Sequence, residues 1–282
     1  MTAVSDAPET PLFPVLQAAI NAAEPIALAT VVSVADDVLG VSLGGKLLIR
    51  PAGVGSDAES MGTLGNAELD RVVERDMVGE LASGTSGVRH YGPRGEARQE
   101  SVSVFIESFA PPPQMLIFGA VDFTAALSRV AKILGYRVTV CDARQVFATT
   151  QRFPFADEVV VDWPHRLLER VGASLGFRDA ICVLTHDPKF DVPAVIEALR
   201  TNAGYIGAMG SRRTTEDRNK RLRDEGVTDE QLATIMAPIG LDLGARTPEE
   251  TAISIVGEII ALRSGRIAPS LRDAEGDIHR PG

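Results

Sequence analysis

A polar cluster follows an apolar segment at residues 185–189, which read Thr-His-Asp-Pro-Lys. The apolar residues 180–184 before it are typical of a buried strand, and open α/β sheets bind ligands where such strands end. Asp187 before Pro188 also makes a good helix start, because an acidic N-cap and a proline at the first helical position both favour one. Capping does not account for His186, whose imidazole can exchange protons near neutral pH. We predict His186 and Asp187 as ligand contacts, with capping as the alternative role of Asp187.

A second candidate site lies at residues 207–214, with the sequence Gly-Ala-Met-Gly-Ser-Arg-Arg-Thr. Gly210 falls in a turn, Ser211 at a capping position, and Arg212 and Arg213 in the first turn of the following helix. Free backbone N–H groups, the helix dipole and two guanidinium groups all favour an anion there. We therefore predict an anion site at these residues.

The rest of the helix is also basic, at Arg218, Lys220, Arg221 and Arg223. Because acidic residues are interleaved with these, a solvated helix face is the expectation for them.

A glycine turn at residues 118–124, Phe-Gly-Ala-Val-Asp-Phe-Thr, joins an apolar segment to a helical pattern. Dinucleotide-binding folds have Gly-x-Gly-x-x-Gly/Ala here, and the second glycine lets the diphosphate approach the backbone. Gly119 is present, but Val121 occupies the second position and its side chain would crowd a diphosphate. Asp122 adds negative charge where phosphates would lie. The turn thus predicts a Rossmann-type fold more strongly than it predicts binding of NAD or FAD.

Two charged residues follow the next predicted strand. Asp142 is placed where nucleotide-binding members of such folds have an acid that binds the ribose hydroxyls, and Arg144 beside it would suit a phosphate. A strand-end cap is the alternative role of Asp142.

An apolar loop at residues 238–244 carries Asp242 between two glycines. It is expected to be either the shaped edge of a site or a purely structural loop.

Composition limits what such a site could serve. The 282 residues are 45% hydrophobic and 23% charged, which predicts a folded chain with a sizeable core. A net charge of −10 disfavours general binding to nucleic acid or to an anionic membrane. We see neither an apolar segment of the roughly 20 residues that a membrane span needs nor a signal peptide, so a cytoplasmic protein is expected.

No catalytic triad order, zinc-protease helix, phosphate loop or Cys-x-x-Cys pair is present. Cys141 and Cys182 are expected to be small buried side chains.

The elements that position these residues fall into two groups. Residues 110–114, Ala-Pro-Pro-Pro-Gln, cannot continue a sheet ladder and favour an extended spacer. We take them as the boundary between an N-terminal α+β domain (1–110) and a C-terminal domain (114–265), which a loose tail follows (266–282). Beyond the boundary, short apolar strands alternate with helices, as in a parallel sheet covered on both faces. The predicted fold class is α/β, with a Rossmann-like C-terminal domain and a smaller α+β domain before it.

The predicted strands are 25–34, 46–50, 100–109, 115–118, 136–141, 158–161, 180–184 and 205–208, and the predicted helices are 11–23, 67–81, 123–134, 165–171, 192–202, 212–225 and one beginning at Thr247. The last helix has the strongest start signal, because Thr247 can cap it, Pro248 suits its first position and Glu250 can complete a capping box.

Three segments closely resemble the XdhC/CoxI family of accessory proteins for xanthine dehydrogenase and related molybdenum hydroxylases. They are Thr-His-Asp-Pro-Lys-Phe-Asp at 185–191, Tyr-Ile-Gly-Ala-Met-Gly-Ser-Arg-Arg-Thr at 205–214 and Pro-Ile-Gly-Leu-Asp-Leu-Gly-Ala-Arg-Thr-Pro-Glu-Glu at 238–250. The resemblance continues through residues 147–157 and is looser in the N-terminal domain.

The resemblance implies a chain that binds molybdenum cofactor (molybdopterin), protects it during sulfuration by a cysteine desulfurase and delivers it to a molybdenum hydroxylase subunit. It also implies a homodimer. A non-enzymatic cofactor chaperone is then the favoured function. The candidate cofactor-binding residues are Gly119, Asp142, Arg144, His186, Asp187, Gly210, Ser211, Arg212, Arg213 and Asp242. Two alternatives stay open: an NAD(P)-dependent oxidoreductase that uses Asp142 and His186, and a scaffold that binds the hydroxylase subunit without cofactor.

The chain departs from the family pattern in three places. The expected Gly-Ala-Gly-His turn reads Gly-Ala-Val-Asp at 119–122. Residues 35–40 replace a Gly-Ser-Ser-Pro-Arg segment, and Asn-Ala-Glu at 66–68 replaces a Gly-Gly-Cys segment. These differences count against cofactor binding, and against a thiol role, in the N-terminal domain.

Overall fold

The structure is a computed structural model that describes residues 12–35, 38, 40–50, 59–96 and 99–273. The chain divides into two compact units, Met1–Pro111 and Pro112–Gly282. Parts of two segments considered above, at 35–40 and in the predicted tail, lie outside the described residues. No helix among the described residues is long and apolar enough to cross a membrane.

The N-terminal unit is an antiparallel sheet with helices. Its elements are α1 (Leu12–Asn21), β1 (Ile26–Val34), β2 (Lys46–Arg50), β3 (Glu59–Thr63), α2 (Ala67–Ser83), β4 (Gly87–Tyr91) and β5 (Val102–Phe109). The strand order is β3-β2-β1-β5-β4. Helix α2 begins where Asn66 accepts from two backbone N–H groups and ends at Gly84, whose φ is +67°. Its buried residues, such as Leu69 and Met77, pack into the core of this unit.

The C-terminal unit is built on a six-stranded parallel sheet. Its elements are β6 (Gln114–Phe118), α3 (Asp122–Ile133), β7 (Arg137–Cys141), β8 (Glu158–Val160), α4 (Pro164–Val171), β9 (Ala180–Val183), α5 (Pro188–Ala198), β10 (Tyr205–Ala208), α6 (Arg212–Asp224), α7 (Asp229–Ala233), β11 (Ile235–Met236) and α8 (Pro248–Arg263). The strand order β8-β7-β6-β9-β10-β11 is that of the doubly wound dinucleotide fold. The predicted α/β fold class is confirmed.

The central strands β6 and β9 pair in parallel, with Met115 opposite Ala180. At their start, Asp179 accepts hydrogen bonds from the N–H groups of Gln114 (2.6 Å) and Gly176 (2.7 Å). Residues of β9 are buried throughout, as expected for a strand with helices on both faces. One face packs against α3 and α8, and the other against α4, α5 and α6.

Most predicted elements are present, and the differences have local causes. Helix α5 begins four residues before the predicted start at 192, because Asp187 caps it and Pro188 occupies its first position. Strands β3 and β4 were not predicted, since both are edge strands with largely exposed side chains. The short elements α7 and β11 were also missed. The predicted capping box at Thr247 and Glu250 is confirmed.

Candidate functional site

All of the predicted site residues follow parallel strands, so they share the carboxyl edge of one sheet. Gly119 follows β6, Asp142 and Arg144 follow β7, His186 and Asp187 follow β9, residues 210–213 follow β10, and Asp242 follows β11. The strand order reverses between β6 and β9, which is where such sheets open a ligand crevice.

The turn after β6 is shaped by close packing. Gly119 has a φ of +111°, which side chains of L-residues rarely adopt. A Cβ atom there would lie 2.7 Å from Cγ2 and 3.0 Å from the backbone nitrogen of Thr185, just beyond β9. Packing within the chain therefore accounts for Gly119 without any ligand.

Asp142 is buried, with 3% of its surface exposed, and its carboxylate is bound by its own chain. Oδ2 accepts from the Ala120 N–H (2.8 Å), and Oδ1 accepts from the Arg144 N–H (2.9 Å). The Arg144 guanidinium adds a two-pronged ion pair at 2.9 and 2.7 Å. Burial alone would raise the pKa of Asp142, but the hydrogen bonds from Arg144 and Ala120 hold that pKa below its usual value. Asp142 thus holds the turn after β6 in place, and both of its carboxylate oxygens already accept hydrogen bonds from the chain.

Charged side chains of the chain itself, Arg152 and Asp122, lie at the start of α3. Arg152 donates to the Ala120 carbonyl oxygen (3.2 Å) and lies 3.8 Å from the Asp122 carboxylate. The Ala120 N–H is held by Asp142 on the other side. A diphosphate in the usual dinucleotide position would meet these groups as well as Val121.

Asp187 and His186 both follow β9, but they lie in different environments. The Asp187 side chain accepts from the Lys189 N–H (3.1 Å) as the N-cap of α5, so the capping alternative is confirmed. His186 is exposed and lines a pocket between α5 and α6.

The first turn of α6 carries two exposed arginine side chains, Arg212 and Arg213. Ser211 accepts from the Thr214 N–H (3.1 Å), which confirms the predicted cap. The N–H groups of Arg212 and Arg213 belong to the first helical turn, where no intrahelical acceptor exists. Both side chains are exposed, and neither forms an ion pair within the part of the chain that the structure describes.

A buried ion pair lies beside this turn. Arg218 Nη2 is 3.7 Å from Asp191 Oδ2, and each side chain is 3% exposed. Arg218 also donates to the Met209 carbonyl oxygen, and Asp191 accepts from the Thr185 hydroxyl. The Nε and Nη1 atoms of Arg218 are buried and have no hydrogen-bond partner among the described residues. Burial raises the pKa of Asp191 and lowers the pKa of Arg218.

The expectation of a solvated face is wrong for Arg218. Thr215, Arg218 and Leu222 lie on one side of α6 at helical spacing, and all three are buried. Leu222, four residues after Arg218, is the one apolar residue of α6, and its position is the sequence signal for the buried side of the helix.

A pocket of about 60 Å³ lies between α5 and α6. Its charged and polar lining residues are His186, Asp191, Thr214, Asp217, Arg218 and Arg221. Gly210 lies close to Arg218, because a Cβ there would be 3.2 Å from Arg218 Nη2. The predicted anion turn and the buried arginine therefore adjoin.

An aromatic group at the end of β8 was not predicted. The Trp163 ring lies 5.0 Å from the Phe190 ring, and the Lys189 ammonium lies 5.1 Å from the Trp163 ring. Trp163 is the only tryptophan of the chain, so its fluorescence reports on this edge of the sheet.

Asp242 is exposed in the loop that follows β11. That loop is held by α8, since the Gly240 N–H donates to Glu258 (2.9 Å) and the Leu241 N–H donates to the Ser254 carbonyl oxygen (3.3 Å). Within the described ranges, no contact joins Asp242 to the other predicted residues.

Both cysteines are buried, as the sequence predicted. Burial raises the pKa of Cys141 to about 12, and it also raises the pKa of Cys182. Because the thiolate is the reactive form, neither thiol should react with a chromogenic disulfide reagent at pH 8 in the native protein. Two thiols should react in guanidinium chloride. Rapid release of one equivalent from the native protein would contradict this expectation.

The XdhC Rossmann domain family matches residues 115–259. The chain is 32% identical over 164 residues to a protein of Bacillus subtilis described as a probable component of xanthine dehydrogenase, covering 58% of this chain and 47% of the relative. It is 25% identical over 159 residues to the molybdenum cofactor insertion chaperone PaoD of Escherichia coli, covering 56% and 43%. The chain therefore matches less than half the length of these curated relatives.

One solved structure, a xanthine dehydrogenase from Bacillus halodurans, aligns with a TM-score of 0.51 and 20% identity, covering 91% of this chain and 97% of that one. At this identity the likeness concerns the fold alone. The family match spans just over half of the chain, from the first parallel strand into α8. The family resemblance of the sequence is confirmed, and the chain belongs to the XdhC family.

Proposed function

We propose that this chain is a maturation factor that binds molybdenum cofactor as its cargo. It aids sulfuration of the cofactor and its insertion into a hydroxylase of the xanthine dehydrogenase or CO dehydrogenase type. Its partners are then the hydroxylase subunit, a cysteine desulfurase and a second copy of the chain, in the cytoplasm. The names of two relatives support this role, since one is a probable component of xanthine dehydrogenase and the other is a molybdenum cofactor insertion chaperone.

One observation at the site carries the proposal. Arg212 and Arg213 present exposed guanidinium groups at the first turn of α6, within an acidic chain of net charge −10. Molybdopterin is an anion, and a helix N-terminus flanked by arginines is suited to bind an anionic ligand. His186, which follows the neighbouring strand, is exposed and is also available to contact the ligand.

A nicotinamide cofactor finds less support at this edge. The Asp142 carboxylate, which would bind a ribose, already accepts hydrogen bonds from Ala120 and Arg144. The Asp122 carboxylate adds negative charge at the start of α3, where the diphosphate would approach, and Val121 would crowd it. A cofactor-free scaffold differs from our proposal only in binding no cargo, so binding is the property to measure.

The test is an anaerobic titration of the purified protein with molybdenum cofactor released from a hydroxylase, followed by Trp163 fluorescence and by equilibrium dialysis. We expect saturable binding of one cofactor per chain and no response to millimolar NAD(H) or NADP(H). Absence of binding, together with normal hydroxylase activity in a deletion strain, would refute the proposal. Capture of the hydroxylase by a protein that binds no cofactor would favour the scaffold.

A further inference from the structure

The Arg218 guanidinium has hydrogen-bond donors that find no acceptor among the residues that the structure describes. Its Nη2 group binds the Met209 carbonyl oxygen and faces Asp191, while Nε and Nη1 are buried without partners among these residues. A buried donor left unpaired destabilises the folded state, and it does so more strongly when it is charged. Native proteins rarely keep such groups unless a water, an ion or a ligand completes them.

The pocket between α5 and α6 is lined in part by Arg218 and has room for a small group. Its volume of about 60 Å³ exceeds the roughly 10–15 Å³ that one water needs. Arg218 lines it as a buried residue, whereas Arg221 and His186 line it as exposed residues. Donors on α6 and after β9 thus converge on one space.

The carboxylates of the pocket do not cancel these donors. Asp191 accepts from the Thr185 hydroxyl and faces Arg218, so its oxygens are engaged. Asp217 is exposed and forms no ion pair with Arg218 or Arg221 in the structure, so it blocks neither guanidinium. Arg221 forms no ion pair among the described residues, which leaves its guanidinium available.

The arrangement selects for a tetrahedral anion. A planar carboxylate can occupy one side of one guanidinium, whereas the three terminal oxygens of a phosphate monoester can accept from two guanidinium groups and an imidazole together. The narrow pocket admits the phosphate group but not a ring system.

We propose that the pocket between α5 and α6 binds a phosphate monoester, with Arg218 as its buried donor and Arg221 and His186 as its exposed donors. This inference deepens the proposed function and rests on it for the rest of the ligand, because it assigns the terminal phosphate of molybdopterin to this pocket. Arg212 and Arg213, on the adjoining turn, then bind other oxygen atoms of the anionic cargo.

Inorganic phosphate is the first probe, titrated by calorimetry into four proteins. The wild type should bind it saturably. Arg218→Lys keeps the charge but removes the forked donors, and should weaken binding by about tenfold or more. Arg221→Gln should also weaken it severalfold. Arg223→Gln is the matched control: it removes the same charge from the same helix, at a residue paired with Asp229 (2.9 Å), and should leave binding unchanged.

Two results would overturn the inference: no saturable phosphate binding by the wild type, or equal effects of Arg221→Gln and Arg223→Gln. Circular dichroism establishes whether Arg218→Lys is folded. If it is not, the comparison of Arg221→Gln with Arg223→Gln decides the matter by itself.

A second titration separates this inference from the proposed function. It uses the stable oxidised derivative of molybdopterin, with its phosphate and after enzymatic removal of the phosphate. Weaker binding of the dephosphorylated form supports the pocket. Equal binding of both forms refutes the pocket and leaves the cargo role intact. Binding of inorganic phosphate with the expected variant pattern, but of neither pterin, supports the pocket and refutes the cargo role.

Discussion

Replacing Arg218 by methionine is expected to lower the free energy of unfolding by about 3–5 kcal/mol at pH 7, because Asp191 then remains as a buried charge without a partner. Both side chains of the pair are 3% exposed. Urea unfolding followed by Trp163 fluorescence measures the loss, since Trp163 lies in the same unit.

The loss of unfolding free energy that Arg218→Met causes should become smaller as the pH falls. Burial already raises the pKa of Asp191 in the folded protein above its unfolded value of about 3.9. A carboxyl group of this kind favours the folded state more when protonated, so stability is regained as the pH drops through the folded pKa toward the unfolded one. Loss of Arg218 raises the folded pKa further, which moves that recovery to higher pH. An unfolding penalty that does not change between pH 7 and pH 5 would contradict this account.

The double variant Asp191→Leu with Arg218→Met is the control for this experiment. Replacing a whole buried ion pair by apolar side chains of similar size is often neutral or stabilising. We expect the double variant to be more stable than Arg218→Met alone, and to bind no phosphate. Simple addition of the two single losses would show that the pair is not coupled.

Replacing Arg212 and Arg213 together by glutamine is expected to weaken cargo binding by about 10- to 100-fold, since a hydrogen bond to a charged group contributes about 1.5–3 kcal/mol and these side chains are exposed. The affinity of the wild type should fall with added salt, and that of the variant should fall less. Equilibrium dialysis at two salt concentrations measures both effects.

The same variant should be at least as stable as the wild type. Cations at a helix N-terminus oppose the helix dipole, so removing them should stabilise α6 by about 0.3–1 kcal/mol. A gain in stability with a loss of binding would assign the two arginines to function. Lys220→Gln with Arg223→Gln removes two charges from the other end of α6 and should leave cargo binding unchanged. Equal losses of cargo affinity in both double variants would show that the effect comes from the net charge of α6 and not from Arg212 and Arg213 in particular.

The sheet could be predicted from the sequence because its strands are short, apolar and regularly interrupted. Helix α8 could be predicted because Thr247, Pro248 and Glu250 act through neighbours within one turn. The edge strands β3 and β4 carry no such local signal, since their hydrogen-bonding partners in the sheet define them rather than their own side chains.

The carboxyl edge could also be predicted, because parallel strands end together. The roles of its residues could not. Asp142 reads as a ribose ligand until its hydrogen bond to Ala120 is seen. Arg218 reads as a surface residue until Asp191 and Met209 are found beside it. These roles depend on residues brought close by the fold, which pattern reasoning along one chain does not pair.

The central pairing of β6 with β9 has a consequence for synthesis on the ribosome. The hydrogen bond from the Gln114 N–H to Asp179 joins residues 65 positions apart. At translation rates of about 5–20 residues per second, β6 waits roughly 3–13 s for its neighbour to be made. During that interval a buried strand of the finished domain has one unpaired edge, so the nascent chain is most prone to misassociation before β9 has left the ribosome.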